Sequence, residues 1–226
     1  MAKRLLTLLA GCIMVSACQG TPEVQTGEDA EVIGNNLHRV DNSRAAKSYV
    51  NPDVDFSQYN QVLLPPLVLN DVTIIQPTRS NGRPGNTRWE LTEDDKAMLQ
   101  EAFRKAMTQK ISENDGYAVV TSPGRGVIAV IAKLLTLAPS AAKDDMSSRA
   151  TGRSRVFTEG AGTATIEIAF VDAQSGEVLA VAVDGKSGQS TWGINNSVTN
   201  RADIQRMFNA WAAQIRSSLD NLRARQ

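Results

Sequence analysis

The chain has 226 residues, of which 42% are apolar and 21% are charged, so it can bury the core of one ordinary domain and is too short for a large multidomain enzyme. Its 24 basic and 24 acidic residues cancel, which argues against nucleic acid as the partner. The single histidine, His38, excludes most histidine-dependent catalysis and most zinc sites, so we expect no metal and no cofactor.

The N-terminus has the form of a secretory signal. Lys3 and Arg4 give it a short basic start, and a mostly apolar run follows over residues 5–17. Such a run is too short to span a bilayer, but its length is typical of the hydrophobic region of a signal peptide.

The end of this run resembles the bacterial lipobox, in which a branched residue and two small residues precede a cysteine: Val15, Ser16, Ala17 and Cys18. Small residues allow an extended backbone to enter the signal peptidase, and the cysteine thiol receives diacylglycerol. We therefore predict a lipoprotein with a signal peptide over residues 1–17 and lipid, including palmitate, on Cys18.

One alternative is cleavage before Cys12, which leaves a hydrophobic region at the lower limit of length for a signal peptide. Another is an ordinary cleaved signal in which the cysteine is coincidental.

The residue after the lipidated cysteine indicates the destination. Gln19 follows Cys18, whereas lipoproteins kept in the inner membrane of enteric bacteria typically carry Asp there. The resemblance favours the periplasmic face of the outer membrane, with the inner membrane as the alternative. Two or three acyl chains anchor a protein almost permanently, at about 0.8 kcal/mol for each buried methylene.

The segment after the cysteine shows no apolar period and is rich in turn-forming and acidic residues. We predict an acylated N-terminus and flexible tether over residues 18–47, followed by a single periplasmic domain over residues 48–226. His38 lies in the predicted tether and has no cluster of Cys, Asp or Glu at ligand spacing. It is interpreted as a solvated linker residue and not as a metal ligand.

The most distinctive pattern lies within residues 49–69 and consists of a tyrosine, a proline, an Asp-Phe-Ser stretch, a second tyrosine and an apolar run with two prolines: Tyr49, Pro52, Asp55, Phe56, Ser57, Tyr59, Pro65 and Pro66. In these residues the chain resembles the Gram-negative lipoproteins grouped as domain of unknown function 3313. The resemblance covers residues 40–222. It implies a location and a fold but no chemistry, because the family has no assigned activity.

The first half of the domain is predicted to contain three strands and a helix. Residues 62–69 are predicted to form a strand that is bulged or lies at a sheet edge. The two prolines in this segment have no backbone N–H to donate to a neighbouring strand. Thr92 begins a helix, with Asp95 in a capping-box position. Residues 117–120 and 127–137 follow as strands.

The second half contains the clearest alternation, because Ala164, Ile166, Ile168 and Phe170 share one face of a strand. Residues 172–177 form a predicted hairpin turn, and residues 178–183 form the return strand. Asn200 is the predicted N-cap of a final helix with an apolar stripe. The chain is therefore predicted to be α+β, with two amphipathic helices on one face of a mostly antiparallel sheet of about five strands.

Residues 124–129 match the relaxed Gly-x-Gly-x-x-Ala dinucleotide fingerprint. However, Pro123 precedes the first glycine, and β-branched Val127 and Ile128 stand where a helix would have to begin. We interpret this segment as a tight turn between two strands.

The sequence lacks the other common catalytic patterns, since it has no Gly-x-Ser-x-Gly elbow and no histidine in the predicted domain to activate a serine. Carboxylate pairs do occur, as Asp53 with Asp55, Asp94 with Asp95, and Asp144 with Asp145. Their positions in turns, loops and a first helical turn explain them without catalysis. We expect a protein that is not an enzyme.

Two polar loops carry arginines that could contact an anionic partner: Arg79, Arg83 and Arg88 in one, and Arg149, Arg153 and Arg155 in the other. Such a partner could be lipopolysaccharide, phospholipid headgroups or an acidic protein face, and solvated loop tips are the simpler interpretation. The resulting hypothesis is a non-catalytic, lipid-anchored domain that binds or scaffolds an envelope partner. The alternatives are an oligomeric component of an envelope export or assembly complex, and a carboxylate-dependent hydrolase.

Overall fold

The computed structural model describes residues 20–76, 89–139, 157–159, 162–188, 192–194 and 197–224. At residues 157–159, 192–194 and 197–200 only the backbone is described. The described strands are β1 (Glu23–Val24), β2 (Val32–Ile33), β3 (Leu37–Asp41), β4 (Lys47–Val50), β5 (Gln61–Leu63), β6 (Thr73–Ile74), β7 (Ala118–Val120), β8 (Val127–Pro139), β9 (Phe157–Glu159), β10 (Gly162–Asp172), β11 (Val178–Ser187) and β12 (Trp192–Ile194). The helices are α1 (Glu93–Ser112) and α2 (Ser197–Ala224).

Ten of these strands form one sheet, in the order β1-β3-β4-β11-β10-β8-β5-β7, with β2 beside β3 and β6 beside β8. The centre of the sheet is antiparallel, and β9 pairs with β12 in a separate ribbon. The prediction of two helices and a mostly antiparallel sheet is confirmed, but the sheet has about twice the expected number of strands.

The alternation in β10 places its apolar side chains in the core. Ala164, Ile166, Ile168 and Phe170 are all at most 5% exposed. The predicted hairpin to β11 is also confirmed, and Gly176 in its turn has a φ of 76° that favours glycine.

A carboxylate organises this hairpin turn. Asp172 accepts hydrogen bonds from the backbone N–H groups of Gln174 and Ser175 and from the Tyr59 hydroxyl, at 2.9, 2.7 and 2.7 Å. Burial raises the pKa of Asp172, but these hydrogen bonds outweigh it and hold the pKa below its usual range. Burial, followed by the bond to this carboxylate, raises the pKa of Tyr59. The pKa shifts of Asp172 and Tyr59 are therefore explained by burial and by the hydrogen bonds that stabilise the turn.

The two helices pack against each other as well as against the sheet. Thr92 and Asp95 form the predicted capping box at the start of α1. Phe103 of α1 and Phe208 of α2 meet edge to face, with ring centroids 5.5 Å apart. Helix α2 begins at Ser197, so the prediction of Asn200 as its N-cap was wrong.

The strand predicted over residues 62–69 is shorter than expected and lies inside the sheet. Strand β5 ends at Leu63 and runs parallel to both β7 and β8. The two prolines follow it, and the chain then pairs with β8 again, through a parallel bridge between Val68 and Lys133 and through β6. The prolines therefore end the strand and do not mark a sheet edge.

Part of the segment predicted as a flexible tether belongs to the sheet. Strands β1, β2 and β3 lie within residues 23–41, and Leu37 and Val40 are 5% and 8% exposed. His38, predicted to be solvated, is half-buried, and its Nδ1 and Nε2 lie 2.8 and 3.0 Å from the Gln25 carbonyl and the Asn36 amide oxygen. Strands of two to five residues are too short to produce a recognisable apolar period.

The glycine-rich segment between β7 and β8 is a turn, as predicted. Gly126 has a φ of 71°, and the Val127 N–H donates to the Gly124 carbonyl at 3.3 Å. Since a strand and not a helix follows, this segment offers no helix N-terminus for a dinucleotide pyrophosphate.

Candidate functional site

A groove runs between the C-terminal half of α2 and the strands β4 and β11, with the β3–β4 turn at one end. It encloses a cavity of about 170 Å³. Its floor and walls are apolar and consist of Val50, Ile168, Phe170, Ala182, Trp211 and Ile215. A largely preformed apolar cavity of this kind is the usual form of a ligand site.

Small residues on β11 create the space. Ala180 and Ala182 lie opposite Val50 and Ser48 of β4 and line the groove beneath α2. Side chains on alternate positions of a strand share a face, so the small methyl groups at these two positions leave the space beneath the helix unfilled. The same alternation brings Asp184 to the end of the groove.

Asp184 is only 6% exposed and holds three elements together. Its Oδ2 accepts a hydrogen bond from Trp211 Nε1 at 3.0 Å and pairs with Lys186 Nζ at 3.0 Å. Its Oδ1 accepts from the Ala46 N–H at 3.3 Å. We assign Asp184 a structural role, because its buried carboxylate accepts hydrogen bonds from α2 and from the β3–β4 turn and pairs with Lys186.

The rim of the groove is polar and uncharged along α2. Gln214, Ser217, Ser218 and Asn221 recur at helical spacing and line its edge. Ser43 and the exposed Arg44 of the β3–β4 turn lie at the mouth. Hydroxyl and amide groups around an apolar interior suit a ligand with an apolar body and a polar, hydrogen-bonding end.

A second cavity, of about 270 Å³, lies at the C-terminal end of α1 beside Arg216. The guanidinium Nη1 donates to the carbonyls of Ile111 and Glu113, both at 2.9 Å, and Nε donates to Asp220 at 2.9 Å. Arg216 thus caps α1. This arrangement explains the arginine without a ligand.

The predicted site residues all lie outside the described residues: Cys18, Arg79, Arg83, Arg88, Arg149, Arg153 and Arg155. Lipid attachment and anionic contacts therefore stay predictions. Asp144 and Asp145 also lie outside them. Within the described part of the chain, no group of three or more His, Cys, Asp or Glu residues could hold a metal.

The other acidic pairs have local structural partners. Asp53 accepts a hydrogen bond from Asn36 Nδ2 at 2.8 Å, and Asp55 caps the short helix Phe56–Gln58 through the Ser57 N–H. Asp95 belongs to the capping box of α1. Asp53, Asp55 and Asp95 are explained by the turn or helix end that each stabilises, and Asp94 lies in the first turn of α1.

The sequence analysis missed the groove. Two signals pointed to it: small residues at alternate positions of β11, and a row of short polar side chains along one edge of α2. Neither signal identifies a groove until the topology places β11 and α2 together.

No described helix combines the length and apolar character needed to cross a membrane.

The solved structures that resemble the chain have low sequence identity to it. Protein XCC0632 from Xanthomonas campestris is 12% identical, with a TM-score of 0.40 over 71% of this chain and 84% of that one. The PelC dodecamer from Paraburkholderia phytofirmans is 9% identical, with a TM-score of 0.36 over 75% and 94%. A "putative lipoprotein" from Caulobacter crescentus CB15 is 10% identical, with a TM-score of 0.32 over 76% and 95%. At these TM-scores the similarities assign no function.

No curated protein matches the chain. A family model described as a protein of unknown function matches residues 34–215, which include both strands that border the groove and most of α2. The match confirms the resemblance found in residues 49–69, which was expected to cover residues 40–222. The chain belongs to the DUF3313 family of proteins of unknown function.

Proposed function

We propose that this protein is a non-catalytic, lipid-anchored envelope domain that binds an apolar group in the groove beside α2. The observation that carries the proposal is the groove itself, with its apolar interior, a polar rim that is uncharged along α2 and a cavity of about 170 Å³. Lipidation at Cys18 would place this groove at the periplasmic face of the outer membrane, or of the inner membrane in the alternative.

The chemistry of the groove supports binding over catalysis. Asp184 is the acidic residue that lines it, and the Trp211 indole and the Lys186 ammonium both contact its Oδ2. Together with the Ala46 N–H on Oδ1, these contacts occupy both oxygens of Asp184 and give the carboxylate a structural role. The serines of the rim would need an adjacent base to act as nucleophiles, and the one histidine contacts Gln25 and Asn36.

Binding of a fluorescent fatty acid, cis-parinaric acid, tests the groove. We expect the secreted Cys18→Ser protein to bind it saturably, with one site per chain. Ala182→Leu adds bulk to the groove and should weaken this binding by about tenfold, which is 1.4 kcal/mol. Ala210→Leu makes the same change on the exposed side of α2 and should leave binding unaltered. Equal binding by both variants, or no saturable binding, would contradict the groove as the site.

Light scattering on the same Cys18→Ser protein separates the proposal from the assembly alternative. A monomeric species agrees with a binding domain. A discrete ring-sized species would favour an oligomeric component of an export or assembly complex.

The anchor has its own test in the two cysteines of the signal. Palmitate labelling should be lost in Cys18→Ser, which should leave the membrane fraction, whereas Cys12→Ser should keep both label and location. Loss of label in Cys12→Ser, with retention in Cys18→Ser, would move the cleavage site to the earlier cysteine.

A further inference from the structure

We propose that the groove receives one acyl chain of the protein's own N-terminal lipid. The inference rests on the proposed lipidation of Cys18 and names the apolar group that the groove binds. In this arrangement one chain of the lipid folds back onto the domain, and its remaining chain or chains enter the bilayer.

The start of the described chain lies at the mouth of the groove. Pro22, Ser43 and Arg44 line the groove together. Gly20 packs so closely against the β3–β4 turn that a Cβ added there would come within 2.9 Å of Asn42 Nδ2. The N-terminal segment thus borders the groove before the first strand begins.

The lipid attachment point is therefore within reach. Two residues of extended chain span at most about 7 Å, so the backbone of Cys18 lies within that distance of Gly20. The sulfur and glycerol add further length before the acyl chains begin. An acyl chain attached at Cys18 can reach the groove without any rearrangement of residues 20–76.

The dimensions and chemistry of the groove fit an acyl chain. Apolar cavities of about 150 Å³ stay dry and accept a guest of benzene size, so a cavity of about 170 Å³ accepts a run of about six carbons. Ser217, Ser218 and Asn221 on the rim can donate hydrogen bonds to the ester carbonyls at the glycerol end. Nothing in the interior requires a charged ligand, because Lys186 already pairs with Asp184.

An acyl chain bound in the groove would determine how the domain is oriented at the membrane. With one acyl chain in the groove, the C-terminal half of α2 and the β3–β4 turn are held near the bilayer surface, because the other chains leave from the same glycerol. A partner that supplies its own apolar group would have to displace the chain. The groove would then couple partner binding to release of the anchor segment.

Photo-crosslinking of the native lipoprotein tests the inference. Cells that make the full chain are fed a palmitate analogue carrying a diazirine, and the purified protein is irradiated and digested for mass spectrometry. We expect adducts on peptides of β11 and α2. Ala182→Leu should lower their yield by about tenfold, whereas the matched Ala210→Leu should not, with circular dichroism confirming that both variants fold.

A second arm distinguishes the protein's own lipid from lipid of the membrane. Unlabelled wild-type lipoprotein and Cys18→Ser are each mixed with phosphatidylglycerol vesicles that contain a diazirine phospholipid. We expect groove adducts from the vesicles only with Cys18→Ser, because the wild-type groove is already filled. Vesicle adducts on the wild type, without adducts from its own lipid, would overturn the inference in favour of a membrane lipid.

The remaining outcomes separate this inference from the proposed function. Label on the protein without groove adducts would overturn the inference and leave the lipid anchor intact. Absence of label from the wild-type protein altogether would overturn both.

Discussion

Trp211→Ala should lower the free energy of unfolding by about 3–5 kcal/mol, the usual cost of truncating a buried aromatic side chain to alanine. Trp211 is 1% exposed, and its ring lies 6.0 Å from that of Phe208. Its Nε1 also donates to the buried Asp184, so the substitution removes both packing and a hydrogen bond to a charged group. Because a domain is stable by only about 5–15 kcal/mol, a urea melt should show the loss directly.

Two further variants of α2 separate these contributions. Trp211→Phe keeps an aromatic ring but removes the donor, and should cost about 1–3 kcal/mol because Asp184 loses a partner. Arg201→Ala changes an exposed side chain of the same helix and should alter stability by less than about 0.5 kcal/mol. Normal melting of Trp211→Ala together with lost fatty-acid binding would show that this face of α2 is an interface and not part of the core.

The elements that sequence analysis predicted well are those with a long, uninterrupted signal. In α1 the capping box and the apolar spacing agree, and in β10 four alternating apolar residues specify one buried face. Helix α2 carries its apolar stripe from Ile204 to Leu222. Local preference and tertiary burial point to the same structure in these segments, which is the condition under which periodicity is reliable.

The elements that the sequence did not predict are very short strands and strands whose pairing partners lie far along the chain. Strands β1, β2 and β3 contain two, two and five residues, which is too short for an apolar period, and β3 pairs with β4 at Tyr49 and Val50, beyond the predicted tether. Strand β5 pairs in parallel with β7 and β8, which follow it across a 20-residue helix. Such pairing is set by the whole topology and leaves little trace in a local window.

The groove could not be predicted for a similar reason. Ala180 and Ala182 become informative only when β11 lies beneath α2, and Asp184 becomes a structural carboxylate only when Trp211 and Lys186 surround it. The sequence also drew attention to charged loops, since arginine clusters are easy to recognise. The described structure directs attention instead to uncharged residues whose significance comes from their spatial arrangement.

Gly116→Ala should be among the most damaging single-methyl additions in the described chain. A Cβ at Gly116 would lie 2.0 Å from Arg216 Nη1 and 2.3 Å from the Ile111 carbonyl oxygen. The guanidinium caps the end of α1 at this point, and the backbone oxygen cannot move without unwinding the last turn of the helix. We expect the free energy of unfolding to fall by about 1–3 kcal/mol or more, which is the range for overpacking in a well-packed site.

Gly124→Ala provides the matched control in thermal and urea melts. The nearest atom to a Cβ there is Val127 Cγ2 at 3.8 Å, an ordinary contact. Since an alanine that fits its backbone conformation reduces the entropy of the unfolded chain, Gly124→Ala should be neutral or stabilising by about 0.4–1 kcal/mol. Arg216→Ala combined with Gly116→Ala should recover little, because the Ile111 carbonyl still blocks the methyl group. Full recovery in the double variant would show that the arginine alone causes the clash and that the backbone approach is looser than 2.3 Å.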